Sequence, residues 1–303
     1  MELIEDIKNS RGFIKNCIEH YGFSAEHNLE HFECSARTNE KHFIFREDGF
    51  CILSFYNTKT NVFRMFSEVI APEDKREELF FKFLDLCLTK RKAEKVAVEL
   101  EESFRKKILE ALDKRGLEAL KINYMLEWPI FKMSEFDEKL EGKKFKNLRN
   151  IWNRYTKDSE VKIVGVHDAS KKELKSLVKR WVKQRKTKER AYYQQFLNQI
   201  DIGFSGCNST RICVIKSKPV AITAGWKIPN SNNYYSGIGI YDYDYDHLGD
   251  FVNLDDLKEL KKKNYDFVDF GGSDKGLLDF KQKFVFQESY KTYIFSIVKK
   301  TKD

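Results

Sequence analysis

The sequence predicts an α/β protein made of two similar halves, and three observations carry that expectation. Strand and helix signals run β-β-β-α-β-α-β through the first half, and the same order recurs from residue 209 onward. A length of 303 residues suits two domains at about 150 residues each. The chain is 41% hydrophobic and holds 25 Phe, 14 Tyr and 4 Trp, enough apolar surface for a core in each half. That content, with only 15 Gly and 4 Pro, excludes a disordered, collagen-like or linker-rich chain.

A helical start is expected from Leu3 to about Tyr21. Lys41–Arg46, Phe50–Tyr56 and Val62–Ile70 are β-branched and aromatic runs separated by turn residues, which predicts an antiparallel meander. Pro72 then opens a helix with Leu79, Phe80, Phe83, Leu84 and Leu88 at helical spacing. Val96–Leu100 reads as a strand, Glu101–Arg115 as a helix closed by Gly116, and Ile122–Trp128 as a strand. The polar, acidic stretch Met133–Gly142 marks the boundary, giving domains 1–138 and 139–303. A basic helix, Lys143–Lys157, leads to the strand Val161–Val166 and to helices over Lys171–Arg185 and Lys188–Gln199. Strands follow at Ser209–Lys216, Pro219–Trp226 and Tyr234–Tyr241, then a helix from about His247 to Lys263. Phe267–Phe270 is a strand, Lys275–Phe284 a helix and Tyr290–Val298 the closing strand.

The net charge of +8 hides an asymmetry: residues 1–142 carry −5 and residues 143–303 carry +13. From Lys143 to Arg190 there are 17 Lys/Arg against 5 Asp/Glu. Such a field concentrates polyanions, so Lys146, Arg149 and Arg154 on the basic helix are candidate contacts for tRNA or another phosphate-bearing ligand. A solvated helix face is the plainer alternative. No run approaches the ~18 apolar residues of a membrane helix, and the acidic, amphipathic N-terminus does not suit a signal peptide. Six cysteines without a C-x-x-C pair predict free thiols in a cytoplasmic setting, with neither disulfides nor zinc. His27 and His31 are four apart but lack the glutamate of H-E-x-x-H, so no metal is assigned.

The doubled strand–helix order resembles the GNAT acyltransferase fold in tandem. Tyr265-Asp-Phe-Val-Asp-Phe-Gly-Gly-Ser, Gly276-Leu-Leu-Asp-Phe-Lys-Gln-Lys-Phe and Tyr290-Lys-Thr-Tyr-Ile-Phe sharpen the match. They resemble the end of the branch that holds the phosphatidylglycerol lysyltransferase C-terminal domain, with the Fem peptidyltransferases nearby. Leu277, Phe280, Lys281 and Phe284 stand where that branch carries L-x-x-F-K-x-x-F. Val285-Phe-Gln-Glu-Ser departs from the Pro and Trp usual after the Lys-Phe pair, and no coiled-coil insertion of the Fem type is present.

The resemblance implies transfer of an acyl or aminoacyl group to an amine or hydroxyl, with acyl-CoA or aminoacyl-tRNA as donor and no metal. A catalytically silent tandem module that binds RNA or another polyanion is the alternative. Lys281 is the favoured site residue, a partly exposed lysine that would pair with a donor phosphate and stabilise an oxyanion. Lys283, two positions on, points to another helix face and is a donor-binding candidate. Asp269, Gly271 and Gly272 end a strand, where α/β ligands collect and glycine permits close approach. Alternation lets only one of Tyr234 and Tyr235 face the cleft; Tyr235 is the candidate proton donor, with Trp226 and Phe280 as donor-binding residues. The loop Ile240–Asp250 stands where a GNAT enzyme grips the coenzyme A pyrophosphate, yet it bears four Asp, no Arg and one Gly. It reads as a solvated acidic loop, with the binding of a substrate amine or a divalent metal as lesser options.

Overall fold

In the computed structural model, which describes residues 2–185 and 193–300, the strands join into one continuous thirteen-stranded sheet. The first half runs β1 (Glu2–Ile4), α1 (Ile7–Tyr21), α2 (Leu29–Cys34), β2 (Glu40–Glu47), β3 (Phe50–Asn57), β4 (Val62–Met65), α3 (Glu73–Asp85), β5 (Lys95–Glu101), α4 (Glu102–Leu112), β6 (Leu117–Ala119) and β7 (Tyr124–Lys132). The second runs α5 (Lys146–Lys157), β8 (Val161–Val164), α6 (Lys171–Gln184), α7 (Gln194–Asp201), β9 (Ser209–Ile215), β10 (Lys218–Lys227), β11 (Tyr234–Tyr241), α8 (Leu248–Lys262), β12 (Phe267–Asp269), α9 (Lys275–Gln282) and β13 (Glu288–Lys299).

Local chemistry moves several expected boundaries. Leu3 lies in a strand paired with Phe45, because Asp6 accepts a hydrogen bond from the Asn9 amide at 3.1 Å and starts α1 only at Ile7. The expected strand Val62–Ile70 stops at Met65; beyond it the Phe66 amide still donates to the Leu53 carbonyl at 2.9 Å, and Ile70 bridges to Cys51. Gly116 does close the α4 region, in the left-handed conformation at φ 65°. Of the helix expected over Lys188–Gln199, the part before Tyr193 lies outside the described residues, and α7 begins at Gln194.

Alternation along the strands builds a core on each face. In the first half Phe43, Phe45 and Phe63 pack with α3 and α4, while Ile44, Leu53 and Phe55 pack with α1 and α2. In the second, Ile212, Ile222 and Ile238 pack with α6 and α7, and Cys213, Ile215 and Val220 with α5 and α8. All six cysteines are free thiols, five of them buried. Among the described residues no helix is long and apolar enough to cross a membrane.

Two features position the site. In each half a pair of neighbouring strands runs parallel and pairs only briefly: β4 with β5 from Val62↔Lys95 to Arg64↔Ala97, and β11 with β12 at Tyr234↔Val268 and Tyr235↔Asp269. Beyond those registers the strands part. The closing strands are also exchanged: β13 pairs with β5, β6 and β7 of the first half, while β7 pairs with β12 of the second.

Candidate active site

A cavity of about 520 Å³ opens where β4 and β5 part and where the two halves meet. Glu68 and Glu99 line it from the first half, and Glu26 enters from the loop between α1 and α2. Trp128, Tyr290 and Thr292 come from the exchanged strands β7 and β13, and Asp269 from the end of β12. The Trp128 and Tyr290 rings stack at 5.5 Å and 15° to form one wall.

The cavity is acidic, and burial favours the protonated form of its carboxyls. Burial first, then the Glu99 charge, pushes Glu26 up to about 8, with Arg64 opposing. Burial likewise raises Glu68 to about 7 and Asp269 to about 6, and moves Glu99 in the same direction. Asp269 is restrained by two donors: Tyr290 Oη to Oδ2 at 2.7 Å and the Gly271 amide to Oδ1 at 2.8 Å. A relay fixes Glu99, with Trp128 Nε1 donating to Thr292 Oγ1 at 2.9 Å and Thr292 Oγ1 donating to Glu99 Oε1 at 2.6 Å. His27 is neutral, pushed down to about 4 by burial; its Nδ1 accepts from the Phe23 amide at 3.0 Å, so Nε2–H donates to the Glu68 carbonyl at 3.0 Å. Among the described residues no three His, Cys, Asp or Glu side chains form a group that could hold a metal ion.

Of the residues anticipated from sequence, Asp269 lines this cavity and Tyr235, Trp226, Gly271, Gly272 and Lys281 pack behind it. Trp226 and Tyr235 meet edge to face at 5.0 Å, and Trp226 Nε1 donates to the Ala25 carbonyl at 2.8 Å. Alternation sends Tyr235 to this side and Tyr234 into the core against Tyr265. Gly271 adopts φ 81°, and a Cβ there would stand 3.7 Å from the Tyr235 hydroxyl and 3.8 Å from Lys281 Nζ. At Gly272 a Cβ would meet Leu126 Cδ1 at 2.8 Å and Trp128 Cε2 at 3.0 Å, so a larger residue there would require those side chains to shift.

Lys281 departs from its expected exposure: the residue is 6% exposed. Its ammonium donates to the Phe270 carbonyl, to the Gly271 carbonyl at 2.9 Å and to Ser273 Oγ at 2.9 Å. All three of its protons are thus spent on the loop after β12, and burial lowers its pKa to about 7.

Phe280 and Lys283 lie apart from the large cavity, beside a smaller one of about 270 Å³. Lys283 Nζ donates to Asp250 Oδ1 at 2.9 Å, and Asp250 Oδ2 also meets His247 Nδ1 at 2.9 Å. The acidic loop is not wholly solvated, a second correction. Asp242 is fully buried, because Arg180 Nε and Gln184 Nε2 on α6 donate to it at 2.9 and 2.6 Å. On α5, Lys146 is exposed, but Arg149 donates to the Leu140 and Gly142 carbonyls and Arg154 to the Asp246 carbonyl. The last five residues of the basic run, 186–190, lie outside the described residues.

Sequence reasoning missed Glu26, Glu68 and Glu99. In Val96-Ala-Val-Glu-Leu the alternation marks Glu99 as a solvent-facing position, and the residues that enclose it come from distant segments: the loop before α2, Glu68, the exchanged strands and the second half.

The model of the phosphatidylglycerol lysyltransferase C-terminal family matches residues 23–294. Among solved structures, the chain is similar to L-PGS from Bacillus licheniformis at 14% identity and a TM-score of 0.66, covering 96% of this chain and 92% of that one. It is similar to FemX at 11% identity and a TM-score of 0.60, covering 98% and 97%. A tandem GNAT protein from the clavulanic acid biosynthesis pathway matches at 11% identity and a TM-score of 0.55, covering all of both chains. No curated protein matches the sequence. The fold is therefore the tandem GNAT-like α/β fold that the strand order predicts.

Proposed function

We propose a function on the premise that this chain belongs to the phosphatidylglycerol lysyltransferase C-terminal family: it transfers an aminoacyl group from aminoacyl-tRNA to a hydroxyl or amine acceptor. The observation that carries this reading is the carboxylate-lined cavity at the junction of the halves. An aminoacyl ester bears a free ammonium, whose arrival would draw the raised carboxyls of this cavity into their charged form and pair with them, whereas a plain acyl chain gains nothing there. The acceptor oxygen or nitrogen attacks the ester carbonyl, the bond to the ribose oxygen breaks, and the proton passes to that oxygen.

A second observation favours aminoacyl-tRNA over acyl-CoA. A pyrophosphate needs free amides and no like charge at a helix N-terminus. At the α8 start, Asp244 and Asp246 remain exposed and Asp250 fills the first turn. At the α3 start, Pro72 lacks an amide proton and Glu73 and Asp74 follow. The exposed lysines of α5 and α6 offer phosphate contacts for tRNA instead. The silent, polyanion-binding module remains the lesser reading: it calls for Trp226 and Tyr235 packed against the neighbours of Lys281 and no cavity left, and although both rings are packed there, the cavity in front of them is open.

The test is a panel of tRNAs charged with radiolabelled amino acids, lysyl-tRNA first, mixed with the protein and either phosphatidylglycerol vesicles or a soluble amine. Acetyl-CoA serves as the rival donor. Labelled product from an aminoacyl-tRNA supports the proposal; product from acetyl-CoA alone, or from no donor, sinks it.

A further inference from the structure

The cavity carboxylates are not equivalent, and the difference lies in what each already holds. Asp269 accepts on both oxygens, Glu99 takes the Thr292 hydroxyl, Glu68 takes the Glu101 amide at 3.1 Å, and Glu288 pairs with Lys132 at 2.6 Å on the rim. Glu26 is different. Among the described residues its carboxylate accepts no hydrogen bond, and the nearest cation-forming group, His31 Nε2, is 4.0 Å away. Its side chain keeps 24% of its surface open, towards the cavity.

The backbone around Glu26, by contrast, is held from several sides. The Glu26 amide donates to Ser24 Oγ at 3.3 Å, and the His27 ring ties the loop to Glu68. The second half grips the same loop through Trp226 on the Ala25 carbonyl, Asn230 on the Gly22 carbonyl at 2.8 Å and Asn28 on the Gly206 carbonyl at 3.0 Å. A carboxylate presented so firmly, and bonded to nothing, is placed for a partner that arrives with the substrate.

We propose that Glu26 is the base of the transfer reaction, so that the first half supplies a catalytic residue. Its carboxylate takes the proton from the attacking hydroxyl or amine as the new bond to the ester carbonyl forms. When the bond from that carbonyl to the ribose oxygen breaks, Glu26 returns the same proton to the leaving oxygen and is regenerated. The groups facing it set its proton affinity: Glu99 from β5 and Asp269 from β12 raise it, and Arg64 from β4 lowers it. His31 from α2 is itself pushed down to about 4 by burial and stays neutral. A proton affinity close to the working pH is what general base catalysis favours.

This inference rests on the aminoacyl-transfer reading, and the experiment separates the two. Glu26→Gln and Glu26→Asp are compared with wild type, using lysyl-tRNA and phosphatidylglycerol vesicles or whichever pair the panel identifies. The expected result is a fall in kcat of roughly 100-fold or more for Glu26→Gln, the usual share of one acid–base group. Dissociation constants for the charged tRNA stay within about threefold, Glu26→Asp recovers part of the rate, and the alkaline rise in rate disappears only in Glu26→Gln. Glu26→Gln removes an acid that folding keeps protonated against its preference, so its melting temperature should match or exceed wild type and misfolding is not the explanation. If wild type is active and Glu26→Gln keeps its rate and pH profile, the inference is overturned and the transfer reading stands. If wild type uses no aminoacyl-tRNA, both fall.

Discussion

The Tyr290 hydroxyl donates to Asp269 Oδ2 at 2.7 Å, joining the middle of β13, a strand given to the first half, to the end of β12 in the second. Both residues face the cavity, so the bond sets the shape of the site and helps join the halves. Tyr290→Phe leaves Asp269 with one donor in a buried position. The expected loss is about 1–3 kcal/mol at neutral pH, shrinking below about pH 6, where Asp269 is protonated and needs the donor less. Urea unfolding at two pH values measures it.

Stability should increase as the pH falls from about 7 to about 5, against the usual trend. Glu26, Glu68, Asp269 and Asp256 sit at about 8, 7, 6 and 6 in the folded state, all above ordinary carboxyls. A raised acid binds its proton in the folded chain first, so folding takes up protons across this window and gains as pH drops. His27 and His31, both lowered to about 4, oppose this below their ordinary value of about 6.5, with two protons against four. Glu26→Gln should flatten the slope; an unchanged slope would contradict the assignment.

Lys281→Met removes the donor to two carbonyls and a hydroxyl in a buried loop. Leaving such acceptors unpaired costs about 1–3 kcal/mol. Hydrogen exchange should quicken locally at Glu127 and Ser273, whose amides and carbonyls bond each other at 3.0 and 2.8 Å. Uniform exchange across the loop would show that Lys281 does not clamp it.

Much of the fold was legible in the sequence, and the reason is local. Apolar alternation and Gly116 as a helix stop are each read from a few neighbouring residues, and the repeated order of elements is the sum of such local signals. Of the candidate cavity one lining residue was legible, Asp269 at the end of a strand, with Gly271 and Gly272 packed behind it. Glu26 and Glu99 were not, because each looks like a solvated charge until distant segments of the chain enclose it. The exchange of β7 and β13 was hidden for a related reason: strand signals say that a segment pairs, not with which partner.

Removal of residues 288–303 should unfold the first half, because β13 is the partner of β5, β6 and β7. Circular dichroism and exchange on the truncated chain test this, and a peptide of residues 286–300 should restore protection in β5. A truncated chain whose first half keeps full protection would refute the interdependence.

The exchange also orders events at the ribosome. The strand that seals the first half emerges only after nearly the whole second half has been made, ~10–30 s later at ordinary elongation rates. During that interval β5 and β7 present unpaired edges, Leu120, Ile122, Tyr124 and Met125 stand uncovered as they do in the finished protein, and the cavity has only part of its wall. A nascent chain in that condition is a client for chaperones, and the candidate cavity is not walled until β13 has been made.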